Sequence, residues 1–166
     1  MPPQAHSVKK GNRWHFGYKA HIGVDSKTGL VYTVKVTAAN VYGVTVMPDL
    51  LTGEEIYVYE DSGYIGADKR ENAIIKNKCG NKIQYKINRR PSQMKKLSKD
   101  GQYCAKKIEH QKSSIRAKVE HVFGIVKKLF KYRKTRYRRV KKQTQKMNIM
   151  FALANLYIAN KKTKLA

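Results

Sequence analysis

From Trp14 to Val24 the chain alternates without error. Trp14, Phe16, Tyr18, Ala20, Ile22 and Val24 fall on one side, and Arg13, His15, Gly17, Lys19, His21 and Gly23 on the other. So sustained a period of two fits a β-strand with one buried face. Asp25-Ser-Lys-Thr-Gly29 then supplies turn residues, and Tyr32, Val34 and Val36 resume the same period. The two runs together predict a β-hairpin.

The remaining elements follow in order. Residues 40–52 suggest a short helix with Pro48 at its start or at a break, because an interior proline loses a backbone hydrogen bond. Ile56-Tyr-Val-Tyr59 is a third strand. It runs into Glu60-Asp-Ser-Gly-Tyr64, which puts Asp61 at the strand's C-terminal end with Gly63 free to turn sharply. A helix is expected from about Ala67 to Lys78, closed by Gly80, and a fourth strand through Ile83, Tyr85 and Ile87 that ends before Pro91. Residues 91–102 are polar and predict a loop. A long helix should run from near Tyr103 to about Phe130, and a basic link, Lys131 to Lys142, leads to a last helix at 143–160. That helix is apolar almost all round and is expected to be buried. The order β-β-α-β-α-β implies an α/β domain, a mixed sheet flanked by helices.

Composition narrows the partners. The chain of 166 residues is 41% apolar, enough for a single core, yet its formal charge is +25 and its pI about 10.1. Self-repulsion of that size is best relieved by a polyanion, and nucleic acid is the obvious one. No apolar run of membrane length, signal peptide or lipidation motif is present, so the expected location is cytoplasmic. Cys79 and Cys104 have no paired spacing, and the five histidines form no metal-binding pattern.

The charge is unevenly spread. Glu120 is the last acid, and the 46 residues after it carry 14 Lys or Arg. Arg116 stands four positions before it and Lys127 seven after, on one helical face beside an apolar stripe of Ile115, Val119, Val122, Val126 and Leu129. The simplest account of Arg116 and Glu120 is an i, i+4 ion pair worth a few tenths of a kcal/mol. A sharper one joins Glu120 to Asp61 across a sheet–helix interface. Two carboxylates held together repel unless a cation lies between them, and hard oxygen ligands suit Mg²⁺ or Mn²⁺ acting on a phosphodiester. The run Lys131-Tyr-Arg-Lys-Thr-Arg-Tyr-Arg-Arg139 and onward interleaves Tyr132 and Tyr137 with Lys131, Arg133, Lys134, Arg136, Arg138 and Arg139, suited to phosphate contacts and stacking. Lys19, on the polar face of the first strand, lines the strand or touches DNA.

Five segments carry a resemblance: Gly17-Tyr-Lys-Ala-His-Ile-Gly-Val-Asp25, Thr37-Ala-Ala-Asn40, Asp61-Ser-Gly-Tyr64, Ser114-Ile-Arg-Ala-Lys-Val-Glu-His121 and Phe151-Ala-Leu-Ala-Asn-Leu156. Together they resemble the C-terminal part of bacterial insertion-sequence DDE transposases, in particular the group called insertion sequence five. The resemblance spans about Gly11 to Ala159 and implies a ribonuclease H-like core that performs metal-dependent DNA cleavage and strand transfer with Mg²⁺ or Mn²⁺. It implies that Asp61 is the second catalytic Asp and metal ligand and Glu120 the catalytic Glu. Arg116 and Lys127 match the basic positions of the family pattern Tyr-x2-Arg-x3-Glu-x6-Lys, which contact the transposon end; Ser113 stands in place of the Tyr.

The first catalytic Asp has no counterpart, since residues 1–24 hold no Asp or Glu. Asp25 is expected to be a hairpin-turn residue instead. The implied organisation is a flexible leader at 1–10, the C-terminal part of a catalytic domain at 11–160 that is incomplete at its N-terminal strand, and a basic tail at 161–166. The implied partners are double-stranded DNA at transposon ends and targets and a second subunit, either a copy of this chain or the full-length transposase; a nucleoid-associated location goes with them. Activity of the chain alone should be weak or nil. The rival expectation is a non-enzymatic basic DNA-binding protein that modulates the full-length enzyme. A ribosomal or RNA-binding role fits the charge but leaves Asp61 and Glu120 unexplained.

Overall fold

The computed structural model describes residues 5–163, so the first four residues of the expected leader and the end of the basic tail lie outside the described residues. Strand β1 (His6–Lys10) turns back into β2 (Arg13–Val24), which pairs with β3 (Val31–Ala38), all antiparallel and in the order β1-β2-β3. The predicted hairpin is therefore β2–β3. Asp25 closes its turn, its carboxylate accepting from the Thr28 amide and hydroxyl at 2.5 Å each. The segment 6–10, expected to be a flexible leader, instead pairs in register with the outer end of β2, His6 opposite Gly17 and Lys10 opposite Arg13.

A bulge between Gly23 and Val24 changes the faces of β3. Gly23 pairs with Thr33 but Val24 pairs with Val31, so Tyr32 is the extra residue. Val31 and Val36 reach the core while the Tyr32 ring lies over Gly23, where any Cβ would come within 2.8 Å of it. Tyr32 is thus removed from the apolar face on which its spacing placed it.

After β3 come α1 (Gly43–Val46) and a 3-10 turn at Met47–Leu50 with Pro48 in its first positions, where its missing N–H costs nothing. Strands β4 (Tyr57–Glu60) and β5 (Gln84–Ile87) form a separate two-stranded parallel sheet. The expected helix at 67–78 is absent: only Ala67–Lys69 forms a 3-10 turn, and the chain then continues irregularly to an isolated bridge between Lys76 and Lys82. Asn77 organises that segment, its side-chain oxygen accepting from the amides of Cys79 and Asn81. Such local side-chain bonds compete with a helix.

Within the stretch expected to be a loop, α2 (Pro91–Met94) forms and α3 (Lys99–Gly124) begins earlier than predicted, capped by Ser98 accepting from the Gly101 amide at 3.2 Å. The helix passes into a π-turn at Ile125–Leu129 and ends near Phe130 as expected. Helix α4 (Val140–Thr163) closes the chain.

The main core lies between the β2–β3 sheet and the two long helices. Ile22, Val31 and Val36 meet Val122, Ile125 and Val126 of the α3 end and Met147, Met150, Phe151, Ala154 and Ile158 of α4. Phe123 and Phe151 meet edge to face at 5.7 Å. The π-turn draws Ile125 into this core and leaves Leu129 of the predicted stripe exposed. Helix α4 is buried against the core as its apolar character predicts, but on one side only, and Ile149, Leu153 and Leu156 remain exposed.

One side chain fixes α4 to the sheet. The Val31 amide donates to Asn155 Oδ1 and the Asn155 amide donates back to the Val31 carbonyl, both at 2.8 Å. At the bulge, where the ladder is interrupted, these bonds satisfy both backbone groups of one residue. Asn155→Ala orphans both and should lower unfolding free energy by about 2 to 4 kcal/mol, with no change in urea m-value, in equilibrium denaturation.

Candidate active site and nucleic-acid surface

Between the two sheets runs a cleft of about 1100 Å³. Its walls include every residue from Lys19 to Lys27 and every residue from Glu54 to Asp61, so the strands present their backbone edges to it as well as side chains. The pairing explains why. β1 covers β2 only at Arg13–Gly17 and β3 covers Tyr18–Val24, while β4 pairs with β5 alone. Among the described residues, one edge of β2 beyond Gly17 and one edge of β4 have no strand beside them, and both border the cleft.

Both predicted carboxylates line it. Asp61 follows β4 directly, held by its own side chain accepting from the Gly63 amide at 2.7 Å. Glu120 projects from α3, whose opposite side is sunk in the core through the fully buried Val122, and Arg116 donates to it at 3.0 Å. The simple i, i+4 pair is thus present and lies in the same cleft as Asp61. Asp25 borders the cleft too, but its carboxylate is committed to the turn.

Glu60 is the residue that pattern reading missed. Burial, helped by the charge of Asp61 and opposed by Arg116, pushes its carboxyl up to about 7. Alternation could have found it, since Glu60 shares a strand face with buried Val58. Tyr64, also in the wall, is pushed up to about 12 by burial and by Glu60 and Asp61.

The donor set for a divalent cation does not close. Among the described residues no three His, Cys, Asp or Glu side chains gather as a metal site, and Arg116 already neutralises Glu120. Asp61 and Glu120 are ligands of the right chemistry, but by themselves they leave the site short of donors.

The predicted basic residues divide. Lys19 is taken up inside the fold, donating to the Val41 carbonyl at 2.6 Å. Lys127 departs from the Arg116–Glu120 stripe at the π-turn. It lies 5.5 Å from the Phe123 ring centroid and lines a separate shallow groove with Lys128, Tyr132 and Arg133. Lys131, Arg133, Lys134, Arg136, Arg138 and Arg139 are exposed along an irregular segment, and Lys131 takes a left-handed φ of 54°. Tyr132 is an anchor there and not a stacking platform: it packs on the core and accepts a hydrogen bond from buried Gln143. Tyr137 stays exposed. Ser113, in place of the pattern's tyrosine, meets the Asn88 side chain at 3.2 Å and helps tie α3 to the end of β5.

The chain matches the transposase DDE domain family over residues 2–156. It belongs to that family. Its members are transposases, so DNA is the substrate class, and the mixed α/β fold with two carboxylates facing one cleft agrees with membership. No solved structure matches the chain. Among the described residues of this transposase-family chain, no helix is long and apolar enough to cross a membrane.

His21, in the cleft wall, gives the site a pH signature. Burial, and then the charge of Lys19, lowers its imidazole to about 4, and its Nε2 lies 3.0 Å from Thr37 Oγ1. A base with a depressed folded pKa binds its proton first when unfolded, so stability is lost as pH falls from about 6.5 toward 4. His21→Asn should remove that share of the loss. Urea midpoints measured at pH 7 and pH 4.5 should show the variant gaining on the wild type at the lower pH.

Proposed function

We propose that this chain is the DNA-binding and partial catalytic portion of an insertion-sequence transposase with a ribonuclease H-like core, of the insertion sequence five group. It contributes two of three metal-binding carboxylates, Asp61 and Glu120. The observation that carries the reading is the cleft bordered by two unpaired strand edges, with both carboxylates in its walls. An extended segment laid between β2 and β4 would complete one continuous sheet and could bring the third carboxylate beside Asp61. With all three present, Asp61 and Glu120 would help hold Mg²⁺ or Mn²⁺, which would supply Lewis-acid activation of the phosphodiester. Within the chain itself, Asp61 is oriented by the Gly63 amide, Arg116 holds Glu120 and is placed to meet a DNA phosphate, and Lys131, Arg133, Lys134, Arg136, Arg138 and Arg139 hold the backbone. Lys127 and Arg133 share a groove suited to another phosphate. Lys19 supports the strand from within.

The missing third ligand sets the expectation for the isolated protein. Purified 1–166 should bind duplex DNA but show little or no Mg²⁺-dependent nicking or strand transfer. Robust nicking abolished by Asp61→Ala would overturn the two-carboxylate account.

A second reading, a non-enzymatic DNA-binding protein that occupies DNA ends or pairs with a full-length transposase, is favoured by the engagement of Glu120 with Arg116. Both readings require backbone binding by the basic segment. Duplex affinity should fall with salt at a log–log slope of about −5 for six phosphate contacts, and each of Lys134→Ala and Arg136→Ala should reduce that slope by about 1. Glu120→Gln separates them: in titrations with and without Mg²⁺, a pure DNA binder keeps or slightly gains affinity in both, whereas a metal-site role shows as loss confined to Mg²⁺.

A further inference from the structure

The outer end of the β1–β2 ribbon carries a combination that neither the carboxylates nor the basic segment explains. Trp14 is 70% exposed and Phe16 71%, the two sharing one face because they stand two residues apart on β2. An exposed tryptophan beside an exposed phenylalanine is costly in water and marks a binding surface. Neither ring is stacked on another among the described residues.

The charged residues of the ribbon itself are all positive. Lys9 pairs across the ribbon with Trp14, Lys10 stands directly opposite Arg13, and no acid occurs before Asp25. Lys9, Lys10 and Arg13 enter none of the ion pairs formed among the described residues. Two like charges at one cross-strand position destabilise a ribbon, and a bound polyanion relieves the cost. The basic segment lies close by: the Tyr18 hydroxyl donates to the Arg138 carbonyl, and a Cβ at Gly17 would sit 3.9 Å from Thr135 Oγ1. Phosphates running along Arg133 to Arg139 would therefore be carried toward the ribbon.

Spacing selects the ligand. Side chains two residues apart on a strand stand about 6.8 Å apart, twice the roughly 3.4 Å separation of stacked bases. A strand spacing of that size leaves room for one flat base between two ring platforms. Bases inside a duplex offer only their edges, so the surface suits a strand whose bases are unpaired. We propose that the β1–β2 ribbon is a stacking clamp for unpaired bases of DNA, with Trp14 and Phe16 as its platforms and Lys9, Lys10 and Arg13 holding the adjoining phosphates.

Trp14 is the chain's only tryptophan and reports on the contact directly. Its emission should be followed as the full chain is titrated with a blunt duplex and with the same duplex bearing an unpaired tail of ten thymidines. The tailed duplex should quench Trp14 strongly, and the blunt one should not at matched occupancy. Phe16→Ala should weaken tailed-duplex binding about tenfold and leave blunt-duplex affinity within twofold. Trp14→Ala should do the same by competition, and Trp14→Phe should restore most of the loss, showing that aromatic stacking and not folding is at issue. Equal quenching by both duplexes, or equal loss of both affinities in the variants, overturns the proposal. So does a Trp14 emission shift that grows with protein concentration in the absence of DNA, which would mean that a second copy covers the face. Duplex binding through the basic segment can persist in any of these outcomes.

Discussion

The seating of α3 on β2 is the contact on which the site depends. Val122 and Val126, with the neighbouring Phe123, press that end of the helix against Ile22 and the α4 face. A helix fixed on one side is fixed on the other, so the burial of Val122 decides that Arg116 and Glu120 look into the cleft. Asp61 arrives from the opposite wall because it is the first residue beyond β4. Neither placement relies on long flexible connections: one carboxylate is set by helical phase, the other by a strand end and a single backbone hydrogen bond from Gly63.

Electrostatics then distributes charge within that cleft. Burial is the main cost of ionising Glu60, and the neighbouring Asp61 adds to it. Glu60 yields, its carboxyl rising to about 7 while Arg116 acts against the shift. Arg116 therefore serves two acids, bonding Glu120 and attracting Glu60. A cation entering between Asp61 and Glu120 would compete with Arg116 for the same carboxylate, and an arginine released there would face the phosphate it can grip in bidentate fashion. The Arg116–Glu120 pair and a metal held by Glu120 are therefore alternatives at that carboxylate.

Legibility from sequence followed the range of the forces involved. The β2–β3 hairpin, the proline-started turn, Asp61 at a strand end and the Arg116–Glu120 helix were all readable because period, cap and turn are local. The segment after Ala67 was misread because Asn77 bonds to the amides of Cys79 and Asn81, a local competition that helix periodicity ignores. The start of α3 at Ser98 was readable from its capping chemistry and was masked by polar composition. Tyr32 failed for a different reason, since a bulge breaks the alternation at the residue where it falls and no period reveals that place. The separation of Lys127 from the Glu120 face required knowledge of a π-turn, and that turn is stabilised by drawing Ile125 into a core built from distant residues.

β2 itself shows the limit of pattern. Its alternation is unbroken from end to end, which suggests one buried face, yet burial is conferred by what lies opposite and not by the period. From Tyr18 inward the face meets α3, α4 and the basic segment's anchor Tyr132; beyond Gly17 its strand partner is β1, a short strand of His, Ser, Val and Lys that has little apolar surface to offer. Trp14 and Phe16 thus keep the spacing of core residues while standing in solvent. A chain that retains two large aromatics at an uncovered strand end, amid cations that no acid neutralises, carries a cost that its own folding does not recover, and a ligand both flat and anionic removes both parts of that cost at once.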